Sequence, residues 1–152
     1  MPVTVPTEDR LAIYDNAFRY AWALDTMDED ILADTFTAGG SVLVTSGDRF
    51  TGSEAVKQFG RNAFAIPGHA GRQHHVQPLF FDALRGPQGE PLDGYLMTSY
   101  WMVVTWDAGT APRIVSLGRY KDTCVKEDGA WKFAEKQIIR WDSETAPVVG
   151  RA

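Results

Sequence analysis

The sequence predicts an α+β protein, with helices packed on one face of a curved, mostly antiparallel sheet. Three observations carry that prediction. Apolar residues recur at three- and four-residue steps through the N-terminal segments. From Arg72 onward the texture changes to β-rich runs divided by the turn segments GPQGEP, DAGTAP and EDG. The helices come first and the run of strands second, the order that gives segregated layers and not alternating βαβ units. At 152 residues the chain is long enough for one domain with its own core, and no repeat, low-complexity segment or linker divides it.

Residues 1–6, MPVTVP, read as an extended arm, since two prolines disfavour helix there. Thr7 is placed to cap the first helix, with Glu8 and Asp9 in its first turn, where negative charge suits the helix dipole. Leu11, Tyr14, Phe18, Ala21 and Asp25 then share one helix face, predicted to point inward. Asp15, Asn16 and Arg19 fall on the solvent face. Thr26-Met27-Asp28-Glu29 has capping-box spacing, so a second helix is predicted over about 27–36, with Ile31, Leu32 and Phe36 as its apolar contacts. Gly39-Gly40 breaks the pattern, SVLVTS at 41–46 reads as a strand, and Gly47-Asp48 as a turn. Ser53 is placed to cap a third helix over 54–64, which Pro67-Gly68 ends. Four strands follow at 72–82, 94–106, 113–126 and 131–141, spaced as an antiparallel meander. Residues 143–152 read as a loose tail, which leaves a core over 8–142.

Bulk composition excludes several function classes. Fifteen Lys plus Arg against twenty Asp plus Glu give a formal net charge of −5, with no basic cluster, which argues against a nucleic-acid surface. No apolar run reaches membrane-spanning length. No charged n-region followed by an apolar stretch opens the chain, so a cytoplasmic location is expected. The single cysteine, Cys124, sits inside a predicted strand and reads as structural. No Gly-rich phosphate loop and no G-x-S-x-G elbow is present. His69, His74 and His75 lack zinc-type spacing, so neither a metal nor a cofactor is expected. Cofactor-free acid–base work remains available.

Two residues stand out for that work. Asp25 continues an apolar stripe into the bend between two helices; it reads either as a helix cap or as a carboxylate whose burial makes it a stronger base. His74 and His75 are adjacent in a strand, so one faces inward and the other outward, and parity alone does not choose. A histidine suits proton transfer near neutral pH, and it serves equally as a bonded core residue. Tyr20 reads as a hydrogen-bond donor to substrate or as a packed ring. Five Trp, eight Phe and five Tyr supply rings for a pocket wall or for the core. Tyr95, Met97, Ser99 and Trp101 share one strand parity, and Trp131, Phe133 and Trp141 share one on the last strand.

The order of these pieces resembles a known family. Two helices with Asp25 at their bend, a third helix, a strand opening on Gln73-His74, GRYKD at 118–122 and DGAWKFAEKQIIRW at 128–141 are similar to the SnoaL-like and scytalone-dehydratase-like branch of the superfamily named for nuclear transport factor two. The resemblance implies a cone-shaped fold, a strongly curved mixed sheet wrapped round a pocket. It implies Asp25 and His74 as a proton-transfer pair, with Tyr20 at a functional tyrosine position. Tyr14, Phe64, Met97, Ser99, Trp101, Tyr120 and Trp141 are then expected to contact substrate. Met102, Gly118 and Tyr120 stand where scytalone dehydratase has a histidine, a serine and an asparagine, which implies a greasier substrate wall. The implied activity is a cofactor-free lyase that eliminates water, formaldehyde or halide from a small apolar, aromatic or polycyclic compound. A ketosteroid-type isomerase and a non-catalytic binding or assembly module are the alternatives. A homotrimer is the implied assembly.

Overall fold

In the structure, a computed structural model that describes residues 3–142, three helices pack on a six-stranded mixed sheet. The elements run α1 (Thr7–Asp25), α2 (Glu29–Asp34), β1 (Phe36–Leu43), β2 (Arg49–Thr51), α3 (Ser53–Phe64), a 3₁₀ turn (His69–Gly71), β3 (Arg72–Arg85), β4 (Pro91–Thr105), β5 (Arg113–Glu127) and β6 (Ala130–Arg140). The strand order is β2-β1-β6-β5-β4-β3. β3 to β6 form the antiparallel meander that the turn segments predict. β1 joins β6 in parallel, which makes the sheet mixed and leaves it open. The expected tail over 143–152 lies outside the described residues.

The helix ends differ from the prediction. Thr7 is already helical and Pro6 holds the N-cap position with no side-chain cap. The inward face of α1 is Ile13, Asn16, Ala17, Tyr20 and Leu24, whereas Leu11 is 57% and Phe18 48% exposed. The helix is thus turned by one residue position, ~100°, from the apolar stripe. Asn16 explains why a polar residue faces in: its Nδ2 donates to the Thr35 carbonyl at 3.0 Å, so a buried group at the end of α2 is satisfied. Asp28, not Thr26, caps α2, accepting from the Asp30 and Ile31 amides at 3.1 and 2.9 Å. The Thr26 hydroxyl instead donates back to the Trp22 carbonyl at 2.8 Å, closing α1. Ser53 is the first residue of α3, with Gly52 at its N-cap.

The strands also start and bend where alternation alone cannot say. β1 begins at Phe36, which was expected in a helix, and continues through Gly39-Gly40, where its pairing with β6 shifts register. A side chain at Gly40 would meet the Phe133 carbonyl at 2.7 Å, so glycine lets the strand pass. β2 is three residues long, too short to show a period. On β6 the pairing with β5 shifts between Thr123 and Cys124, leaving Ala134 opposite no partner. Before this bulge the odd residues Trp131 and Phe133 face inward; beyond it Lys136 does. The bulge therefore brings a lysine into the core. Lys136 Nζ donates to Asp122 Oδ2 at 2.8 Å, and both side chains are wholly buried. The ammonium also lies 3.9–4.4 Å from the ring centroids of Tyr120, Phe133 and Tyr20.

Candidate active site

The last turn of α1 and the start of β3 meet at the open side of the helix layer. Asp25 ends α1, and its carboxylate reaches β3. Oδ1 accepts from His74 Nδ1 at 2.7 Å, and the His74 backbone N–H donates to Oδ1 and Oδ2 at 2.9 and 3.2 Å. One carboxylate thus holds both the backbone and the ring of the same residue. A carboxylate only accepts, so the bonded ring nitrogen carries the proton. In the neutral ring, Nε2 is left with the lone pair. The adjacent histidines diverge as the strand period requires: His74 is partly buried and His75 is exposed.

A further histidine steadies this corner. His69, in the 3₁₀ turn, is 2% exposed. Its Nε2 lies 2.8 Å from the Leu24 carbonyl, which ties the turn to the residue before Asp25. Phe64 backs that ring at 5.4 Å between centroids. His69 lies in the segment IPGHAG, which has no periodic pattern, so nothing in the sequence singled it out.

His74 lines a cavity of about 380 Å³ on the concave side of the sheet. Its closed end is formed by Tyr20, Leu24, Trp101 and Tyr120, its wall by residues that include Val103, Val115 and Ile138, and its rim includes Ile66, Arg72 and Arg140. The Trp101 ring stacks on Tyr120 at 5.7 Å. It can lie over β5 because its cross-strand partner is Gly118, where a Cβ would fall 2.7 Å from the indole and 2.1 Å from the Ile139 carbonyl. The β4–β5 pairing shifts between Val103 and Val104. That irregularity lets the neighbours Val115 and Ser116 both line the cavity.

The expected site residues divide into four groups. Tyr20, His74, Trp101 and Tyr120 line the cavity, and Asp25 holds His74 from behind. Tyr14, Met97 and Ser99 lie under the other half of the helix layer, where the core is filled: Tyr14 stacks on Phe81 at 5.8 Å, and Met97 and Ser99 are wholly buried. Phe64 backs His69 and is not among the lining residues. Trp141 lies on the opposite, convex face. There it packs on Tyr100 at 5.2 Å between centroids and borders a second cavity, of about 400 Å³, with His75, Met102 and Leu117. The β6 bulge is the reason: Trp141 shares its number parity with Trp131 and Phe133, yet beyond the bulge that parity points outward. Arg72 and Arg140 line the cavity without having been singled out. Arg72 was legible, being two residues before His74 on one strand and so on the same face.

Both phenols at the closed end stay protonated. Burial pushes the Tyr20 and Tyr120 hydroxyls well up from the ordinary phenol value, with the Asp122 charge acting in the same direction. The Trp101 Nε1 is buried and has no hydrogen-bond partner among the described residues, while the Tyr20 and Tyr120 hydroxyls interact with each other. The cavity thus has a ring-walled closed end and a histidine at its side.

This arrangement of elements is found in other proteins. Aln2 from a Streptomyces species superposes with a TM-score of 0.73 at 21% identity, over 91% of this chain and 94% of that one. A Nostoc punctiforme protein of unknown function with a cystatin-like fold gives 0.72 at 23% identity, over 93% and 97%. A candidate scytalone dehydratase from Novosphingobium aromaticivorans gives 0.68 at 23% identity, over 97% and 99%. At these identities the likeness shows a shared α+β fold. A search of curated protein sequences finds no match. The sequence model of the SnoaL-like domain, by contrast, matches residues 6–137, nearly the whole described chain. The chain belongs to the SnoaL-like domain family.

Proposed function

We propose that the protein is a cofactor-free lyase that acts on a small aromatic or polycyclic substrate, with His74 as base and Asp25 as the group that positions it. The observation that carries this reading is the 2.7 Å contact between Asp25 and His74 Nδ1, at a ring that borders an aromatic-walled cavity. His74 Nε2 takes a proton from a substrate carbon, and that C–H electron pair becomes a C=C bond. The adjacent C–O bond breaks. The departing hydroxide takes the proton back from the imidazolium and leaves as water. Asp25 stabilises the imidazolium between those steps. Tyr20, with its phenol held protonated by burial, donates a hydrogen bond to the substrate oxygen and keeps its own proton. Elimination of formaldehyde or halide uses the same base. The family's inclusion of polyketide cyclases and scytalone-dehydratase-like enzymes supports a small-molecule activity.

Isomerisation is the second reading, favoured by one observation: two protonated phenols at the closed end could hold an enolate oxygen while the imidazolium returns the proton to carbon. Product analysis separates the two. A screen of aromatic alcohols for ultraviolet change on elimination, followed by His74→Ala and Asp25→Asn, tests the lyase reading. Each substitution should lower turnover by ~10²–10⁴-fold while the circular dichroism spectrum is kept. Full activity in either variant sinks the mechanism. His75→Ala should be mild, since His75 is exposed on the other face. A homotrimer built on the apolar convex face, where Tyr100, Met102 and Leu117 are exposed, completes the proposal; light scattering in solution checks it.

A further inference from the structure

The polar groups that line the cavity are unevenly distributed by sign. Among the described residues Arg72 and Arg140 line it, and no aspartate or glutamate does. Four arginines outside the cavity, Arg19, Arg49, Arg61 and Arg113, each hold a carboxylate. Arg72 is different. Among the described residues no carboxylate pairs with it. It is partly buried, and the chain around it carries a formal net charge of −5. A guanidinium left partly desolvated in an acidic protein is a cost unless an anion takes it.

Its place in the strand gives that anion a position. Arg72 and His74 share the concave face of β3 and are two residues apart, so their Cα atoms are ~6.6 Å apart. They pair across the strand with Thr105 and Val103. The rim arginine and the base thus line the same side of the cavity. The closed end is walled by the stacked rings of Trp101 and Tyr120. A ligand that suits this cavity has an aromatic body against Trp101 and Tyr120 and an anionic oxygen group at the Arg72 rim. A guanidinium fork matches a planar carboxylate by two parallel N–H···O bonds.

We propose that the substrate is an aromatic carboxylic acid, bound as its carboxylate by Arg72 at the rim with its reacting carbon beside His74. This rests on the cavity being the substrate site and adds the chemical class of what enters it. The Arg72 fork fixes the long axis of the substrate.

Equilibrium binding tests this without knowledge of the true substrate. The probes are 2-naphthoate, its neutral counterpart 2-naphthalenemethanol, and 2-naphthalenesulfonate, each followed by quenching of tryptophan fluorescence and by calorimetry. Wild-type protein should bind 2-naphthoate about 10–100-fold tighter than the alcohol, the span of charge-assisted hydrogen bonding. Arg72→Gln should remove that preference and leave the alcohol's affinity as it was. Arg72→Lys should keep part of it. His74→Ala should leave the preference intact, which separates the anion site from the base. Equal binding of acid and alcohol by wild type overturns the proposal and leaves the cavity reading standing, as does an unchanged preference in Arg72→Gln. Sulfonate binding as tight as carboxylate overturns the assignment to a carboxylic acid. If none of the probes binds, the proposal and the cavity reading fall together.

Discussion

Replacement of Lys136 by methionine is the perturbation whose cost the structure defines best. The Lys136 ammonium is wholly buried 2.8 Å from Asp122 Oδ2, and the other carboxylate oxygen, Oδ1, has no partner among the described residues. Methionine keeps most of the side-chain volume and its contacts with Tyr20, Tyr120 and Phe133, but it leaves the Asp122 charge uncompensated in the core. Breaking a buried pair from one side costs ~3–5 kcal/mol, a large share of the ~5–15 kcal/mol that holds a domain together. At ~2–4 °C per kcal/mol for a chain of this size, the melting temperature should fall by ~6–20 °C. The loss should also depend on pH. Burial raises the Asp122 carboxyl from its ordinary value, with Lys136 opposing that rise. Without the lysine the folded-state value rises further. The folded variant then binds a proton that the unfolded chain has released, so its stability falls as pH rises above the ordinary carboxylate range. The assay is urea denaturation followed by tryptophan fluorescence at pH 5 and pH 8. The double variant Lys136→Met with Asp122→Leu removes both charges and should recover most of the loss. A single-variant cost under ~1 kcal/mol, or a double variant no better than the single, would refute the account of this pair.

Two other outcomes follow from local geometry. Gly118→Ala places a Cβ 2.1 Å from the Ile139 carbonyl and 2.7 Å from the Trp101 ring; thermal melting should show a loss of ~1–3 kcal/mol, with altered tryptophan emission as the ring shifts. Asp28→Ala should cost ~1 kcal/mol because it removes the cap of α2. Thr26→Ala should cost less, as its hydroxyl only closes the end of α1; a larger loss at Thr26 than at Asp28 would restore the capping box as the start of α2.

Much of this molecule is legible in its sequence. The four long strands announce themselves by β-branched and aromatic runs between turn segments, and they begin and end within a few residues of the predicted limits. The divergence of His74 and His75 follows from the strand period alone. Asp25 was singled out by an apolar stripe that the structure turns by one residue, so it reaches His74 as the last residue of α1 and not as part of the buried face. What the sequence hides are interruptions of period. The bulge at Ala134 changes which residues of β6 face inward, and with it the places of Lys136 and Trp141. No local pattern marks such a bulge, because it is set by pairing with β5. Capping by Asp28 was hidden for a different reason: four potential caps and acids, Thr26 to Asp30 less Met27, compete within one bend. The buried Asn16 could not be foreseen because its partner, the Thr35 carbonyl, is nineteen residues away.

The central claim is that Asp25 fixes the tautomer of His74 and leaves Nε2 as the base. Long-range proton–nitrogen correlation spectra of histidine-labelled protein, recorded at alkaline pH where imidazole is neutral, test it most directly. The account predicts a protonated Nδ1 and an unprotonated Nε2 for His74, with that preference lost in Asp25→Asn. A proton found on Nε2 of His74 in the wild-type protein would contradict it.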